Sequence, residues 1–455
     1  MDQLKLPSYN LDHRRELFVD DYLCEERKNL DLRVHTPVHR FDTIGRIYGH
    51  YQTVMHDGEK FCCYARTHID GLHNREDCHS GEAYLYAESI DGLRWKRPRL
   101  NLFPAQDEND FELQHSIITH DTFGKWAHNF SPFYDNNPAC PEHERYKATA
   151  GILSGVGDLY DPQGGISLFT SPDGIHWSRL GDKPVIVFED RFGLFAFDSQ
   201  NYAFYSQDLQ KYVMYFRVRR TKDCTDEQKS FAWSVSDDFI NWEPPQMVNT
   251  NRPGEHIYVT QFNEYSRAPH YLIGMPTRWY EFRNEATDIG LMFARAGEAP
   301  TRPAIGGWIR PGMDAVRWEN RMNYMARGLF NLTPEELTFY PALNEGRYTI
   351  RTDGFMSLHS DLEMGEWLSI PLRYRSGMPE FNLSTGLTGT LQVEFRDAQN
   401  RVLPGFSFED NGEIYGDAID MRPAWKKPLP LQPGEYFRMC FRLSDGDLYS
   451  FKFTD

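Results

Sequence analysis

One phrase recurs in this chain and limits what it can fold into. It reads SIDGLRW at 89–95 and SPDGIHW at 171–177, with a blurred third copy, SVSDDFINW, at 234–242. Its Asp can accept backbone N–H groups and its Gly can take positive φ, so each copy predicts a tight turn. The Trp begins a strand and packs over neighbouring layers. Before each copy lies an alternating run, EAYLYAES, GGISLFTS or KSFAWSVS, which indicates a strand.

Repetition of such a unit predicts a β-propeller, with one blade for each unit. Besides the three copies, a strand hairpin lies at 49–66 and a decayed copy at 288–303, so roughly five blades fit between residues 31 and 340. Short strands separated by Gly, Asp and Asn predict a β-sandwich at 341–455.

The predicted fold class is therefore all-β: a five-bladed β-propeller followed by a C-terminal β-sandwich. Residues 1–30 form an N-terminal segment outside both domains. The best helical stretch is TPEELTFY at 333–340, where Thr333 would be the N-cap and Glu336 stands three residues on. We expect this helix to mark the junction between the domains.

Charge and composition exclude several classes of partner. The 455 residues carry a formal net charge of −17, which argues against nucleic acid or an anionic membrane surface as the main partner. The sequence shows no signal peptide and no run of 18 apolar residues, so we expect a cytoplasmic protein. Seven scattered cysteines favour free thiols over disulfides or a zinc site. The oligomeric state, a homo-oligomer included, stays open.

Blade turns of the Ser-x-Asp-Gly-x-x-Trp type with a trailing sandwich resemble the five-bladed propeller glycosidases of families 43 and 32 and their relatives. The stretches ELFVDDYL, AESIDGLRW, NPACPEHERYKA, FDSQN and IRTDGFMSL are similar to that group across nearly the whole chain. The resemblance implies a carbohydrate substrate, glycosidase activity and no required cofactor. The Trp-Met-Asn-Asp-Pro-Asn, Arg-Asp-Pro and Glu-Cys motifs of the invertase-like enzymes are absent, so fructosidase chemistry is not implied.

Glycoside hydrolysis needs two carboxyl groups, one protonated and one ionised. In a propeller the starts of the inner strands converge at one mouth of the channel, which is the default binding site. Asp198 precedes the strand YAFYS and Glu255 precedes the next inner strand, so these two are the predicted catalytic pair, with Asp121 as a helper or third acid. An Asx turn at Asp198 and a solvated loop at Glu255 are the alternatives.

The predicted substrate-binding residues flank these acids or occupy corresponding positions in other blades: His50, Gln52, His128, Gln200, Asn201, His256, Trp318, Glu319 and Arg321. Trp318 and Arg321 would suit a stacked sugar ring or a carboxylated sugar, and surface strand pairing explains them equally well. The loop at 67–81 is rich in metal-ligand residue types without a recognisable metal-site spacing. No metal site is predicted, and a structural cation in the channel stays open.

The leading functional hypothesis is a glycoside hydrolase acting on a terminal sugar or a small oligosaccharide. Two alternatives stay open. A glycoside phosphorylase would need a basic phosphate pocket, for which His50, Arg217, Arg219 and Arg321 are candidates. A non-catalytic propeller would bind sugar without cleaving it. The aspartates of the repeated phrase are predicted to be structural, because their turns lie toward the blade exterior.

Overall fold

The computed structural model describes residues 8–73, 79–104, 111–152, 164–220 and 228–455, and within them the chain is almost entirely β. This confirms the predicted all-β class. The α-helices of the described part have four residues each: α1 (Phe111–Gln114), α2 (His120–Phe123) and α3 (Phe408–Asn411). None of the helices described here has the length and apolar character that a membrane crossing requires.

The strands follow one another in this order. The first ten are β1 (Tyr9–Asn10), β2 (Arg15–Leu17), β3 (Cys24–Lys28), β4 (Asp31–Val34), β5 (Val38–Arg40), β6 (His50–His56), β7 (Phe61–His68), β8 (Glu82–Ser89), β9 (Trp95–Lys96) and β10 (Ser116–Thr119). The next nine are β11 (Ser131–Tyr134), β12 (Tyr146–Ile152), β13 (Gly165–Ser171), β14 (Ser178–Leu180), β15 (Ile186–Val187), β16 (Tyr202–Ser206), β17 (Lys211–Val218), β18 (Ser230–Ser236) and β19 (Gln246–Met247).

The remaining strands are β20 (His256–Val259), β21 (Phe262–Glu264), β22 (Tyr271–Gly274), β23 (Thr277–Tyr280), β24 (Ala286–Ile289), β25 (Met292–Arg295), β26 (Phe330–Asn331), β27 (Glu336–Phe339), β28 (Arg347–Arg351), β29 (Met356–Ser360), β30 (Gly365–Ser369), β31 (Leu372–Arg373), β32 (Met378–Asp397), β33 (Asp417–Met421) and β34 (Tyr436–Thr454). Short 3₁₀ helices lie at Gly124–Ala127, Glu142–Glu144, Asp190–Phe192, Glu281–Arg283 and Ala315–Trp318.

Two compact units make up the chain. One contains residues 38–332 and 338–349, and the other contains the described residues of 1–37 together with 333–337 and 350–455. Residues 1–30 do not form the separate segment predicted from the sequence, because their strands pair with strands near the C-terminus. Strand β2 pairs with β34, β3 with β30 and β1 with β31. The start of the chain therefore belongs to the C-terminal sheet.

The larger unit is built from consecutive antiparallel sheets. They have the strand orders β10-β8-β7-β6, β11-β12-β13-β14 and β16-β17-β18-β19, followed by β20-β23-β24, β21-β22-β25 and β26-β27-β28-β5. The sheets that contain β20 and β21 are joined by three continuous stretches of chain. Strand β20 continues into β21, β22 into β23 and β24 into β25. The three runs EAYLYAES, GGISLFTS and KSFAWSVS contribute β8, β13 and β18, as their alternation predicts.

Side chains from the starts of several of these sheets meet at one buried polar junction. The Gln200 Nε2 donates to the hydroxyls of Thr53 (2.9 Å) and Ser131 (3.2 Å), and its Oε1 accepts from Gln261 (2.7 Å). Gln261 also donates to the carbonyl of Met325 at 3.0 Å. The hydrogen bonds fix five separate stretches of chain against each other, since buried polar groups that lose a partner are costly.

The repeated phrase forms the turn that its residues predict. In the second copy the Asp173 carboxylate accepts two backbone N–H groups at 2.8 Å each, and the Trp177 indole donates to the carbonyl of Gly174 at 3.0 Å. The first and third copies make the same bonds. These aspartates hold their own turns together, so their predicted structural role is confirmed.

The third copy shows why its glycine could be lost. Gly92 and Gly174 have φ values of 72° and 74°, and Phe239 occupies the same left-handed position with φ 70°. Its ring is buried against Phe133 and Trp242, with centroid distances of 5.6 and 6.0 Å. Core packing at this position offsets the strain that a bulky residue meets at positive φ.

Replacing Asp173 with Ala is expected to lower the free energy of unfolding by about 1–2 kcal/mol, because the turn loses the acceptor of two backbone N–H groups. Chemical denaturation of the full chain measures this change. Asp182→Ala, at an exposed loop aspartate, is the control and should change stability by less than about 0.5 kcal/mol. An equal and negligible effect of both substitutions would contradict the role assigned to Asp173.

The smaller unit is a ten-stranded sheet dominated by its two longest strands. Strands β32 and β34 pair antiparallel from Met378–Thr454 to Asp397–Phe437, with register shifts where the pairing bends. Arg15 of β2 is buried there and bonds Glu380 and Asp420 at 2.7 Å each. These ion pairs connect the N-terminal strand β2 to the C-terminal part of the chain, which the sequence pattern did not indicate.

The predicted helix at 333–340 is wrong. The Thr333 hydroxyl does accept the Glu336 N–H at 3.3 Å, as a cap would, but the chain then extends as strand β27. Leu337 and Phe339 are both buried in that strand. Burial of the apolar side chains in a sheet outweighs the local capping signal, which is worth only about 1 kcal/mol.

Candidate functional site

A cavity of about 530 Å³ opens where strands β6 and β8 begin. Tyrosines form much of its wall, and the Tyr324 ring meets the edges of Tyr51 and Tyr258 at 6.3 and 5.7 Å. Aromatic walls with a few fixed polar groups are the usual composition of a small-molecule site. The full lining is Tyr48, Gly49, His50, Tyr51, Arg66, Thr67, His68, His79, Glu82, Tyr258, Asn320, Arg321, Met322 and Tyr324.

The backbone near several strand starts is held in a strained conformation. Five residues other than glycine adopt positive φ at or just before the first strand of a sheet, or shortly before the 324–327 segment: Tyr51 (51°), Asn129 (55°), Phe197 (69°), Gln261 (49°) and Arg321 (56°). Such conformations cost of order 1–3 kcal/mol each and cluster at functional sites, where they aim side chains. Of these five residues, Tyr51 and Arg321 line the cavity.

Glu82, the first residue of β8, is a buried carboxylate of the cavity wall. Its Oε1 accepts from the Tyr84 hydroxyl and from the backbone N–H of Asn129 at 3.2 Å. Its Oε2 lies 2.9 Å from His128 Nδ1 and 3.3 Å from Arg66 Nη2. Four donors therefore surround the carboxylate, so Glu82 is suited to hold other side chains in place.

The same contacts fix the tautomer of His128. Arg66 donates to Asn129 Oδ1 at 2.7 Å, which leaves the Asn129 amide nitrogen to donate to His128 Nε2 at 2.9 Å. With Nε2 accepting, the neutral His128 ring carries its proton on Nδ1 and donates it to Glu82. A chain of hydrogen bonds therefore orients His128 beside Asp198, whose Oδ1 lies 3.6 Å from Nε2.

Asp198 is held differently from Glu82. Its side chain is 32% exposed, and the nearest cation is Arg217, whose Nη2 lies 3.9 Å from Oδ2 and also donates to the Asp198 carbonyl. Burial would raise the pKa of Asp198, but His128 and Arg217 together lower it below its ordinary value. Asp198 is therefore an ionised carboxylate that solvent or a ligand can reach.

Cations surround Tyr258 at the edge of the cavity. The Arg217 guanidinium lies 4.4 Å and the Lys229 ammonium 5.7 Å from the centre of the Tyr258 ring. Arg321 donates to the Tyr258 hydroxyl at 3.4 Å. Because these side chains converge on one ring, the site favours an electron-rich or anionic ligand.

Lys229 is the most perturbed of these cations. Its ammonium lies 3.4 Å from the centre of the Trp279 ring, and burial together with Arg217 and Arg219 lowers its pKa to about 7. Burial and Lys229 also lower the pKa of His256 to about 4. Strongly shifted pKa values in a cleft are a mark of functional sites.

Two predicted residues line the cavity, and two more contact residues of its wall or their neighbours. His50 and Arg321 line it, and burial with the nearby charge of Arg66 lowers the pKa of His50 to about 4. His128 lies behind Glu82, and Asp198 contacts both His128 and Arg217. Four of the predicted residues therefore lie in or next to this cavity.

Three other predicted binding residues are buried and form hydrogen bonds within the protein. Gln52 accepts from Arg46 and donates to the carbonyl of Ile47 at 2.8 Å, and Gln200 belongs to the buried polar junction. The Asn201 amide donates to the carbonyl of Phe197 at 2.8 Å. All three are at most 2% exposed. Their hydrogen bonds shape the strand starts and leave no exposed polar group toward the cavity.

Glu255 lies outside the cavity wall, in a buried ion cluster. Arg302 contacts its two oxygens at 2.5 and 3.0 Å, and Arg278 lies 3.4 Å away. The Tyr280 hydroxyl and the backbone N–H of Arg252 complete the set at 3.2 and 3.1 Å. Burial would raise the pKa of Glu255, but Arg302 lowers it. Glu255 and Asp198 therefore have different partners.

The last predicted residues lie apart from this cavity as well. Asp121 is exposed in α2 and accepts from the Thr119 hydroxyl. Trp318 lines a different cavity, of about 700 Å³, together with Tyr280, and Glu319 is exposed beside it. His256 is not part of the cavity wall. Its Nδ1 accepts the backbone N–H of Lys229 at 3.0 Å.

One group among the described residues could hold a metal ion. Ligand atoms of His79, Glu82 and His128 lie within 4.8 Å of one another, and two His with one Glu is a donor set known from catalytic zinc sites. The His79 and His128 rings stack at 4.2 Å. A bound cation there would take over contacts that Glu82 now makes with Arg66 and His128. Part of the polar loop predicted from the sequence, residues 74–78, lies outside the described residues.

Glu82 is a residue of the cavity wall that the sequence did not single out. It opens the run EAYLYAES, and its alternation predicts a strand without any role for the first residue. A signal was present, since a carboxylate at the head of a buried apolar strand needs a specific partner. The partners, Arg66 at the end of β7 and His128 before β11, are distant in sequence and come together only in the fold.

Comparison with known proteins gave structural matches only. No protein-family model matches the chain, and no curated protein matches its sequence. Similar solved structures include a thermostable family-43 glycoside hydrolase (TM-score 0.43, 13% identity, 70% of this chain and 95% of that chain). A glycosyl hydrolase from Bacteroides ovatus has a TM-score of 0.43 at 12% identity over 74% and 97% of the two chains.

A third structure matches over more of the chain. An N-acetylgalactosamine deacetylase from F. plautii, in complex with blood group B trisaccharide, has a TM-score of 0.41 and 10% identity, and covers 90% of this chain and 94% of its own. Glycoside hydrolases are thus among the neighbours, in line with the resemblance found in the sequence. Similarities at this level by themselves assign neither a family nor an activity to the chain.

Proposed function

We propose that this chain hydrolyses a glycosidic bond of a terminal sugar or small oligosaccharide, with Asp198 as the carboxylate that acts at the reacting centre. One observation carries the proposal. Asp198 is ionised, 32% exposed and held by charge beside a cavity with tyrosine walls, whereas four donors engage the other carboxylate, Glu82.

We also propose that the larger unit is a five-bladed propeller and the smaller unit a β-sandwich. Support comes from the polar junction, where five stretches of chain meet, and from the two three-stranded sheets that share their chain passes and would form one bent blade. In that arrangement the cavity is the channel mouth, the usual place for a ligand.

In the proposed reaction the ionised Asp198 either takes a proton from an attacking water or bonds to the anomeric carbon itself, and a glycosyl ester formed in the second way is then hydrolysed by water. In both cases the glycosidic C–O bond breaks and the leaving oxygen takes a proton from solvent. Glu82 and Asn129 are positioning residues, because they hold His128 in one tautomer beside Asp198.

Hydrolysis is tested by incubating the full chain with a panel of oligosaccharides in water enriched in ¹⁸O. We expect a released sugar that carries one ¹⁸O at its anomeric carbon, detected by mass spectrometry. A sugar-binding protein without activity would show ligand binding by calorimetry but no cleavage in long incubations. That result would overturn the proposal.

A second candidate reaction is phosphorolysis, which the cations around Tyr258 favour. Arg217, Lys229 and Arg321 would neutralise inorganic phosphate as the attacking group, in the way that charge-assisted hydrogen bonds bind phosphate elsewhere. The same assay with added phosphate separates the reactions, because phosphorolysis yields a sugar phosphate and no ¹⁸O-labelled sugar.

Lys229 is expected to make the free energy of unfolding depend on pH. Its pKa is lowered to about 7, so between pH 7 and its unfolded value the folded chain binds fewer protons than the unfolded chain. Stability therefore rises with pH across this window. We expect the free energy of unfolding to increase by about 2 kcal/mol from pH 7 to pH 9 through this group.

The measurement is urea unfolding of the wild type and of Lys229→Met at both pH values. The variant should lack this part of the pH dependence and be the more stable protein at pH 7. Lys211→Met, at a lysine paired with Asp237 and Glu243 on the surface, is the control and should keep the wild-type slope. Equal slopes for the wild type and Lys229→Met would contradict the interpretation.

A further inference from the structure

A second cavity lies at the far end of β6, whose start lines the first cavity. It has a volume of about 250 Å³ and is lined by the ends of β6, β11, β16 and β21 and by the segment at 327–330. Aromatic side chains form much of its wall: Phe133, Tyr134, Phe204, Tyr205 and Phe330. The two cavities share no lining residue and are therefore distinct.

Arg327 lines this second cavity in an unusual state. The residue is 8% exposed, and its guanidinium lies 5.0 and 5.5 Å from the ring centres of Tyr202 and Phe204. Its Nε has no hydrogen-bond partner, and no ion pair joins Arg327 to a carboxylate among the described residues. Arg15 and Arg278 are equally buried, and each holds a carboxylate at 2.7 Å.

An unpaired buried cation is costly. Contacts with aromatic rings offset only part of the desolvation of a guanidinium. Burial lowers the pKa of Arg327 to about 10, so the charge is still present at neutral pH. A group that stays charged inside an open cavity, without a carboxylate from the protein, has the state expected of an anion-binding residue.

The acid of the same cavity does not replace the missing partner. The Glu264 Oε1 accepts the Gln207 N–H at 2.8 Å, and burial raises its pKa to about 7. Below pH 7 Glu264 is therefore largely neutral and adds a hydrogen-bond donor to the cavity. Asn136, Asn263 and Ser266 supply further polar groups to the wall.

We propose that this cavity binds a small oxyanion, such as the carboxylate or phosphate group of an organic ligand, and that Arg327 is the residue that pairs with it. The aromatic walls would contact the apolar part of such a ligand. The inference rests on the second cavity alone and does not depend on the proposed function of the first.

The test is calorimetric titration of the full chain at pH 6 with acetate, inorganic phosphate or sulfate, against chloride at equal ionic strength. We expect binding of at least one oxyanion and none of chloride beyond background. A response to acetate alone identifies a carboxylate ligand, and a response to phosphate or sulfate identifies a tetrahedral oxyanion. Absence of any oxyanion binding by the wild type overturns the proposal.

Variants assign the binding to one cavity. Arg327→Met should raise the Kd at least tenfold and raise the Tm without ligand, because it removes an unpaired buried charge. Arg327→Lys, which keeps the charge, is the second variant and should bind with intermediate affinity. Arg217→Met changes the cations of the first cavity and should leave the Kd within about twofold. Loss of binding in Arg217→Met with retention in Arg327→Met overturns the proposal.

Discussion

Replacing Asp198 with Asn is expected to lower kcat/KM on the true substrate by about 10³-fold or more, because the amide can neither accept a proton from water nor attack the sugar carbon. The substitution keeps the shape of the side chain. The measurement is the initial rate of sugar release, together with the Tm of the variant.

The fold should tolerate this substitution. The Asp198 carboxylate is partly exposed, and the nearest side-chain nitrogens of His128 and Arg217 lie 3.6 and 3.9 Å from it, so losing its charge removes only modest interactions. We expect a Tm close to that of the wild type. Asp237→Asn, at an exposed aspartate beside Lys211, is the matched control and should keep full activity. Full activity of Asp198→Asn would exclude the proposed role.

The second large effect concerns stability. Glu255→Gln is expected to lower the free energy of unfolding by about 3–5 kcal/mol, because it leaves the buried Arg302 without its counter-charge. Arg278 would suffer less, since it also holds Asp288 at 2.7 Å. The expected activity for each folded molecule is close to that of the wild type, because Arg302, Arg278 and Tyr280 already occupy the Glu255 carboxylate.

Chemical denaturation and sugar release measured on the same samples separate the two roles of Glu255. The double variant Glu255→Met with Arg302→Met removes both charges and should recover much of the lost stability. Glu243→Gln, at an exposed glutamate paired with Lys211, controls for loss of a surface charge. Unchanged stability with abolished activity in Glu255→Gln would restore Glu255 to the catalytic pair predicted from the sequence.

The contrast between Asp198 and Glu255 shows how far the sequence leads. Both acids precede a strand, so pattern reasoning treats them alike. In the structure Asp198 is partly exposed near one arginine, whereas two arginines enclose Glu255. The arginines that make the difference lie at positions 217, 278 and 302, and local sequence gives no measure of which carboxylate each one will reach.

By itself, the sequence determined the features that depend on neighbouring residues. The turns around Asp91, Asp173 and Asp238 form because each Asp lies two and three residues before the N–H groups that it accepts. Alternation of apolar and polar residues likewise determined β8, β13 and β18, since side chains of a strand point to opposite faces. The turns and the strands both follow from the geometry of neighbouring residues.

Only the tertiary structure decided which charges meet. Glu82 gains its role from Arg66 and His128, and Arg327 stands out because no described carboxylate reaches it. Strand β2 pairs with the last strand, and its Arg15 forms an ion pair with Glu380, which is far away in sequence. Electrostatic pairing and burial depend on distances in space between residues far apart in sequence, and these distances exist only after the sheets have packed.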